Sequence, residues 1–230
     1  LAGMSLGRSP ERAEIFSPYQ NLNLVHQPRM PPILQIGHHF YQHMLDAESP
    51  LARDEDLPRI KLGCYQIPYR YRPEPDRVLV VGAGTGNDVA SALRWGGATI
   101  DAVEIAPAIL HIGQTLHPEA PYASDRVRTV VQDARVFIRH AEEQYDLIVY
   151  GFVDTQQALS GQGGIRLESY LHTVEAFLEA RTRLREEGVL CISTAASRNV
   201  CLKLYRMLEA AFRHPPVVHA TPEGRHTTML

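Results

Sequence analysis

The sequence predicts an α/β protein: a doubly wound, mostly parallel sheet preceded by a small N-terminal β-hairpin region. From Arg77 onward, short apolar runs alternate with helical patterns, an order typical of parallel sheets covered by helices on both faces. The first run, RVLVV at 77–81, leads into the glycine-rich turn GAGTGND. Before it, stretches such as YQNLNLVH and PILQIGHHF are typical of short strands and hairpins. We therefore expect a β-strand region with a linker at 1–75 and a Rossmann-like domain at 76–230.

The elements follow from these patterns in chain order. Strands are expected where apolar, β-branched residues cluster: 77–81, 99–105, 126–132, 145–152 and 188–194. Helices are expected where apolar residues recur at helical spacing: 88–95, 107–117, 134–143 and a long amphipathic helix at 167–186. Residues 57–76 contain four prolines and are interpreted as the linker.

The composition restricts the class of protein. The 230 residues are 44% hydrophobic and 21% charged, as in globular domains, and the net charge of −3 offers no basic surface to nucleic acid. The three cysteines form no CxxC pair, which favours reduced thiols and a cytoplasmic location. No apolar run approaches the roughly 20 residues that span a bilayer. We expect no nucleic-acid partner and no membrane segment in this chain.

The turn after the first strand is a candidate ligand site. Gly82, Gly84 and Gly86 let the backbone turn tightly and approach a ligand, and the following helix offers free N–H groups. In parallel sheets, ligands bind outside the carboxyl ends of the strands. A tight turn without a ligand is the alternative.

A carboxylate residue follows each of the next three predicted strands. Glu104 stands 22 residues after Gly82, where an acidic side chain can accept from both ribose hydroxyls of an adenosine. Asp133 can accept from the adenine amine, beside the backbone N–H of Ala134, or can cap the next helix. Asp154 follows the fourth strand and is either a site group or a loop carboxylate. In this order, the four strand ends suit an adenosine site.

The combination VLVVGAGTGNDVASAL, DAVEI, VRTVVQDARVFI, YDLIVYG and EEGVLCIS resembles the S-adenosylmethionine-dependent transferases, and within them the spermidine synthase branch. FSPYQNLNLV and FYQHMLD are similar to the N-terminal region of that branch. The resemblance covers about residues 16 to 195. It implies a methyltransferase-type sheet, a homodimer, and S-adenosylmethionine or its decarboxylated form as the ligand. We expect no metal, because no carboxylate or cysteine nearby completes a ligand set with His38, His39 and His43. It is closest to bacterial domains that follow membrane-spanning segments, so a membrane-tethered parent is a further expectation.

Carried over by position, the resemblance assigns roles to single residues. It implies Gln20 near the nucleoside, the three loop glycines along it, Glu104 on the ribose, and Asp133 with Ala134 on the adenine. Tyr41 and Gln42 fall where the family shapes the ligand and amine pocket.

The sequence departs from the family at charged positions. Thr85 stands where aminopropyltransferases have an aspartate that pairs with the amine of the decarboxylated ligand, and Gly151 stands where they have the base that deprotonates the attacking amine. Asp154 is the retained carboxylate of that segment. His43 replaces a pocket glutamate and is a candidate general base, because the pKa of histidine suits neutral pH.

Three functions are compatible with these residues. The first is a transferase that moves an aminopropyl or methyl group to a small nucleophile such as an amine, with Asp154 orienting or deprotonating it. The second is a non-catalytic nucleoside-sensing domain of a membrane-associated protein. The third is a nicotinamide-dependent enzyme, disfavoured because Asn87 replaces the last glycine of its fingerprint.

Overall fold

The computed structural model describes residues 11–16, 21–26, 31–36, 39–47, 59–152, 170–220 and 227–230. Within them lie a four-stranded and a seven-stranded sheet. The smaller sheet is antiparallel, with its strands in chain order: β1 (Glu11–Phe16), β2 (Asn21–His26), β3 (Ile33–Ile36) and β4 (His39–His43). It is the N-terminal β-hairpin region that the sequence predicts.

The larger sheet confirms the α/β prediction. Five strands run parallel: β5 (Arg77–Val81), β6 (Thr99–Glu104), β7 (Val127–Val131), β8 (Tyr145–Tyr150) and β9 (Leu184–Thr194). Two short antiparallel strands extend one edge: β10 (Val218–Ala220) and β11 (Thr227–Met229). The strand order is β10-β11-β9-β8-β5-β6-β7, so the order reverses between β5 and β8.

Helices cover both faces of this sheet. They are α1 (Arg59–Tyr71), α2 (Asn87–Arg94), α3 (Pro107–Leu116), α4 (Ala134–His140), α5 (Val174–Arg181) and α6 (Arg198–Phe212). Because successive strand residues point to opposite faces, Val78 and Val80 pack with α1 and α2, whereas Leu79 and Val81 pack with α4, α5 and α6. A third cluster joins the smaller sheet to α3 through Leu22, Leu34 and Ile109.

The stretch interpreted as the linker, residues 57–76, contains a helix that the sequence interpretation did not predict, Arg59–Tyr71. Cys64, Tyr65 and Tyr69 are buried, and Tyr69 belongs to the apolar cluster on the main sheet. Burying this face compensates for Pro68 inside the helix, which lacks one backbone N–H. The domain boundary at residue 75 stays a prediction.

The single long helix predicted at 167–186 was wrong over its C-terminal part. Helix α5 covers only Val174–Arg181, and its first turn is capped by Thr173, whose hydroxyl accepts from the N–H of Ala176 at 3.1 Å. β9 then begins at Leu184, where the carbonyl of Arg183 accepts from the N–H of Tyr145 at 2.7 Å. Leu184, which the helical pattern assigns to the predicted helix, therefore pairs with Tyr145 of β8 instead.

Two further facts concern partners and ligands. In the described part of the chain, no helix is both long and apolar enough to cross a membrane. Over the same residues, no group of three His, Cys, Asp or Glu side chains is placed to hold a metal ion.

Candidate active site

The glycine loop lies at the switch point of the main sheet, between the carboxyl ends of β5 and its neighbours. Gly82, Gly84 and Gly86 all have positive φ, at 69°, 57° and 112°, a conformation that side chains with a Cβ rarely adopt. The N–H groups of Gly82 and Ala83 donate to the carbonyl of Val103 on β6 at 2.9 and 3.0 Å. The predicted tight turn is therefore present, and its shape requires glycine.

The loop is held from two sides. A Cβ on Gly86 would lie 2.7 Å from Cγ of Pro121, in the 3-10 turn Pro121–Ala123. The hydroxyl of Tyr122 in that turn donates to the carbonyls of Ala83 and Gly84 at 3.1 and 2.8 Å. The loop backbone is thus positioned by the residues beneath it.

β4 holds the loop from the other side. The side-chain oxygen of Gln42 accepts from the backbone N–H of Thr85 at 3.1 Å and from its hydroxyl at 2.6 Å. Tyr41 reaches the same place, because a Cβ on Gly84 would lie 3.7 Å from the Tyr41 hydroxyl. Two predicted pocket residues and the predicted loop residue Thr85 therefore lie together, although the hydroxyl of Thr85 is already engaged with Gln42.

Asn87 joins the loop to three other segments, a role that the sequence interpretation missed. Its side-chain N–H groups donate to the carbonyl of His43 at 2.8 Å and to the hydroxyl of Tyr65 at 3.2 Å. Its side-chain oxygen accepts from the N–H of Leu45 at 3.0 Å and lies 3.1 Å from Nε2 of His117. The sequence signal for this role is Asn87 itself, a polar residue at a position where the dinucleotide-binding fingerprint has glycine.

His117 is buried and neutral in this network. Burial, together with the positive charge of Arg94, lowers its pKa to about 4, against a smaller opposing effect of Asp46. Nδ1 accepts from the N–H of Glu119 at 3.2 Å, so we assign the ring proton to Nε2, which donates to Asn87.

Glu104 places a buried carboxylate beside the loop, as its spacing predicts. One oxygen accepts from the N–H of Gly84 at 2.9 Å and the other from the N–H of Ala106 at 2.8 Å. Burial raises the pKa of the carboxyl, and the hydrogen bonds from Ala106, Gly84 and Ile105 oppose that rise. Because each carboxylate oxygen accepts more than one hydrogen bond, acceptor capacity remains for a ligand hydroxyl.

Asp133 follows β7 and begins α4. Its side chain accepts from the N–H of Val136 at 2.9 Å, so of its two predicted roles the helix cap is present. Ala134 beside it is buried. The N–H of Gln132 donates to the carbonyl of Glu104 at 3.1 Å, which brings the ends of β6 and β7 together. The adenine contact stays a prediction.

The remaining predicted residues divide into two groups. His43 is half-buried at the end of β4, with its carbonyl bonded to Asn87, and its role as a base stays a prediction. Gln20 and Asp154 lie outside the described residues.

Asp88 and Gly151 form a contact that sequence interpretation did not connect. Asp88 lies in the first turn of α2, and Gly151 directly follows β8. A Cβ on Gly151 would lie 2.7 Å from Oδ2 of Asp88. Both residues lie where β5 and β8 end, since the N–H of Gly151 donates to the carbonyl of Val81 at 3.4 Å.

The parallel sheet and the glycine loop at its switch point define the class of this protein, which has the fold of the S-adenosylmethionine-dependent methyltransferases. Solved structures agree with this. The chain superposes on spermidine synthase from Thermotoga maritima with a TM-score of 0.71 at 15% identity, covering 94% of this chain and 70% of that one. A spermidine synthase in complex with the transition state analogue AdoDATO gives 0.69 at 15% identity, with the same coverage.

Sequence comparison then identifies the family. The family model for the spermine/spermidine synthase domain matches residues 64–220, and the chain therefore belongs to this family. The polyamine aminopropyltransferase of Clostridium beijerinckii is 32% identical over 128 residues, which are 54% of this chain and 42% of that protein. The polyamine aminopropyltransferase of Korarchaeum cryptofilum is 23% identical over 152 residues, 64% and 44% of the two chains. The match thus spans less than half the length of these relatives.

Proposed function

We propose that this chain is an aminopropyltransferase domain that binds decarboxylated S-adenosylmethionine and transfers its aminopropyl group to a small amine. The observation that carries the proposal is the family match over residues 64–220, together with a buried carboxylate, Glu104, bonded to Gly84 of the loop. This combination favours the transferase over the nicotinamide-dependent alternative.

The nucleoside end of the ligand would lie along β5, β6 and β7. Glu104 would accept hydrogen bonds from the ribose hydroxyls through its remaining lone pairs. Asp133, kept in place by its cap on α4, would accept from the adenine amine, and Ala134 would present its backbone N–H. The loop glycines would let the backbone approach the ligand, and Gln20 would complete the nucleoside site.

The reacting end would lie toward β4 and β8. Tyr41 and Gln42 would line the pocket, with Gln42 fixed by Thr85. The sulfonium activates the aminopropyl carbon, so orientation supplies much of the rate. The electron pair of the amine nitrogen forms the C–N bond with that carbon while the C–S bond breaks. The electron pair of the C–S bond stays on sulfur, in neutral methylthioadenosine. An amine has a pKa near that of lysine, about 10, so it must lose one proton first. Asp154 and His43 are candidate groups to orient or deprotonate it.

The test measures binding and transfer separately. Isothermal titration compares S-adenosylmethionine, its decarboxylated form and methylthioadenosine, and chromatography detects methylthioadenosine released from the decarboxylated form with putrescine. We expect the decarboxylated form to bind more tightly than S-adenosylmethionine and to be consumed. A preference for S-adenosylmethionine would point to methyl transfer, and binding of none of the three would remove the assignment of Glu104 and Asp133.

Assembly and location are proposals of the same kind. We propose a homodimer, the state expected from the family resemblance, and a cytoplasmic location. Light scattering on the purified protein tests the first, and fractionation of cells that express the natural gene tests the second.

A further inference from the structure

We propose that Asp88 supplies the carboxylate that accepts the amine proton, from the space that Gly151 leaves open at the end of β8. This inference rests on the proposed function and adds a catalytic residue to it. Family resemblance places the base at position 151, and this chain has glycine there. The structure assigns the role to a side chain from a different element, α2.

The geometry brings Asp88 to the place where the family base would begin. A Cβ on Gly151 would lie 2.7 Å from Oδ2 and 3.4 Å from Cγ of Asp88, and 3.7 Å from the carbonyl oxygen of Gly82. A side chain at 151 and the carboxylate of Asp88 therefore exclude each other. Both lie at the switch point between β5 and β8, where sheets of this type bind their ligands.

Stabilisation of the helix does not account for this carboxylate. An aspartate in a first helical turn interacts favourably with the helix dipole, and more strongly when it is partly buried, but Asp88 is only 6% exposed and burial still raises its pKa to about 7. Within the described ranges, no side chain or backbone N–H donates a hydrogen bond or forms an ion pair with it. Burying a carboxylate without such a partner is costly, and a cationic ligand that pairs with Asp88 would offset that cost.

The surroundings make Asp88 the group that titrates near neutral pH. Burial raises its pKa to about 7. The titratable side chains in electrostatic contact with it come from α1, from the 3-10 turn and from β9: Cys64, Tyr65, Tyr69, Tyr122 and Cys191. Burial raises the pKa of each of them, that of Cys64 to about 11. Among the described residues, these neighbours are neutral at pH 7 and do not compensate the Asp88 charge.

The chemistry follows from these properties. The acceptor enters as an ammonium ion and pairs with the Asp88 carboxylate. One N–H proton passes to the carboxylate, the freed electron pair forms the C–N bond, and the C–S electrons stay on sulfur. Asp88 then releases the proton to solvent. A carboxyl whose pKa is close to neutrality is a better proton acceptor than one of ordinary pKa.

The first test compares the wild type with Asp88→Asn, using decarboxylated S-adenosylmethionine and putrescine. We expect Asp88→Asn to bind methylthioadenosine within twofold of the wild type, to lose at least 100-fold in kcat, and to lose the rise of kcat/KM around pH 7. Asp125→Asn, at an exposed position, is the matched control and should change neither quantity. An Asp88→Asn protein that keeps its turnover and its pH profile would overturn the proposal. So would the finding that Asp154→Asn loses the rise of kcat/KM around pH 7 while Asp88→Asn keeps it.

A relocated carboxylate gives a second variant. Asp88→Ala combined with Gly151→Asp moves the group to the position of the family base. We expect it to recover at least tenfold in kcat over Asp88→Ala alone, whereas Gly151→Asp in the presence of Asp88 should fold poorly, because the two side chains compete for one space. No gain from relocation would count against the role.

Binding alone distinguishes this inference from the proposed function. Decarboxylated S-adenosylmethionine is cationic and methylthioadenosine is neutral, so the ratio of their affinities should rise several-fold between pH 5.5 and 8.5 in the wild type, as Asp88 ionises. In Asp88→Asn the ratio should stay constant. If the wild type binds but transfers nothing, the proposed function fails and the role of Asp88 fails with it; if the wild type transfers the group but its affinity ratio does not depend on pH, only the role of Asp88 fails. An equal pH dependence in both proteins would refute its role.

Discussion

Two hydrogen bonds between the side chain of Gln42 and Thr85 join the two sheets of this protein. The Gln42 oxygen accepts from Thr85 twice, from N at 3.1 Å and from Oγ1 at 2.6 Å. Gln42 lies on β4 and Thr85 in the glycine loop, 43 positions apart in sequence. The antiparallel sheet therefore helps to set the shape of the loop that we propose holds the ligand.

Removing the Thr85 hydroxyl should loosen this connection. Thr85→Val keeps the backbone hydrogen bond and loses the one from Oγ1, at a site that is fully buried. We expect the free energy of unfolding to fall by about 1 kcal/mol and methylthioadenosine to bind a few-fold more weakly. Urea denaturation and calorimetric titration measure the two. Thr115→Val is the control, because that hydroxyl bonds to its own helix at His111. Equal losses in both variants would contradict a specific role for Thr85.

A methyl group on Gly86 should destabilise the loop. Its φ of 112° and the 2.7 Å separation between a Cβ and Cγ of Pro121 both oppose alanine. We expect Gly86→Ala to cost about 1–3 kcal/mol from backbone strain alone. Gly63→Ala is the opposite case, since a Cβ there meets nothing within 4 Å and should stabilise α1 by roughly 0.5–1 kcal/mol. Thermal unfolding of both separates strain from a general effect of added alanine.

Neutralising Glu104 should weaken nucleoside binding. Glu104→Gln keeps the size of the side chain and replaces one acceptor by a donor beside the N–H groups of Gly84 and Ala106. Charge-assisted hydrogen bonds contribute about 1.5–3 kcal/mol, so we expect at least a tenfold loss in methylthioadenosine affinity. Glu186→Gln on the exposed start of β9 is the control. Unchanged affinity in a folded Glu104→Gln protein would argue against a ribose contact.

The stability of the protein should depend on the ionisation of Asp88. Its pKa of about 7 in the folded state lies above the ordinary value of 3.8, so the folded state gains stability when the carboxyl is protonated. That stability is complete below pH 4 and is lost as the pH rises to about 7. Over this window the stability of Asp88→Asn relative to the wild type should increase by up to about 4 kcal/mol. Denaturant unfolding at several pH values measures it, and parallel curves for the two proteins would contradict the burial of this charge.

His117 should produce a loss of stability at acid pH. Its pKa of about 4 in the folded state lies below the ordinary value of 6.5, so unfolding takes up a proton. The stability that the neutral ring contributes is present above pH 6.5 and is lost as the pH falls to about 4, about 3 kcal/mol in all. His117→Gln should flatten this part of the pH profile, whereas His111→Gln, at an exposed position on α3, should leave it unchanged.

Much of the fold was predictable because its signals are local. The apolar runs of β5, β6 and β8 are buried along their whole length or nearly so, and such strands carry their pattern in the sequence itself. Helix α1 was not predictable, because Pro68 argues against a helix locally and only the packing of Tyr69 on the main sheet outweighs it. Pairing of Leu184 with Tyr145 likewise ended α5 early. Helix α6 and the strands β10 and β11 were missed, since the strand and helix predictions stopped at residue 194.

The amino-acid sequence by itself determined the parallel sheet, the glycine turn and the position of Glu104 at the next strand end. These depend on side-chain period and on the conformational freedom of glycine, both of which act over a few residues. Only the tertiary structure placed Gln42 on Thr85, enclosed His117 beside Asn87, and set the carboxylate of Asp88 over Gly151. These contacts join residues 30 to 63 positions apart, and close packing of the two sheets around the loop, which no local pattern encodes, is what brings them together.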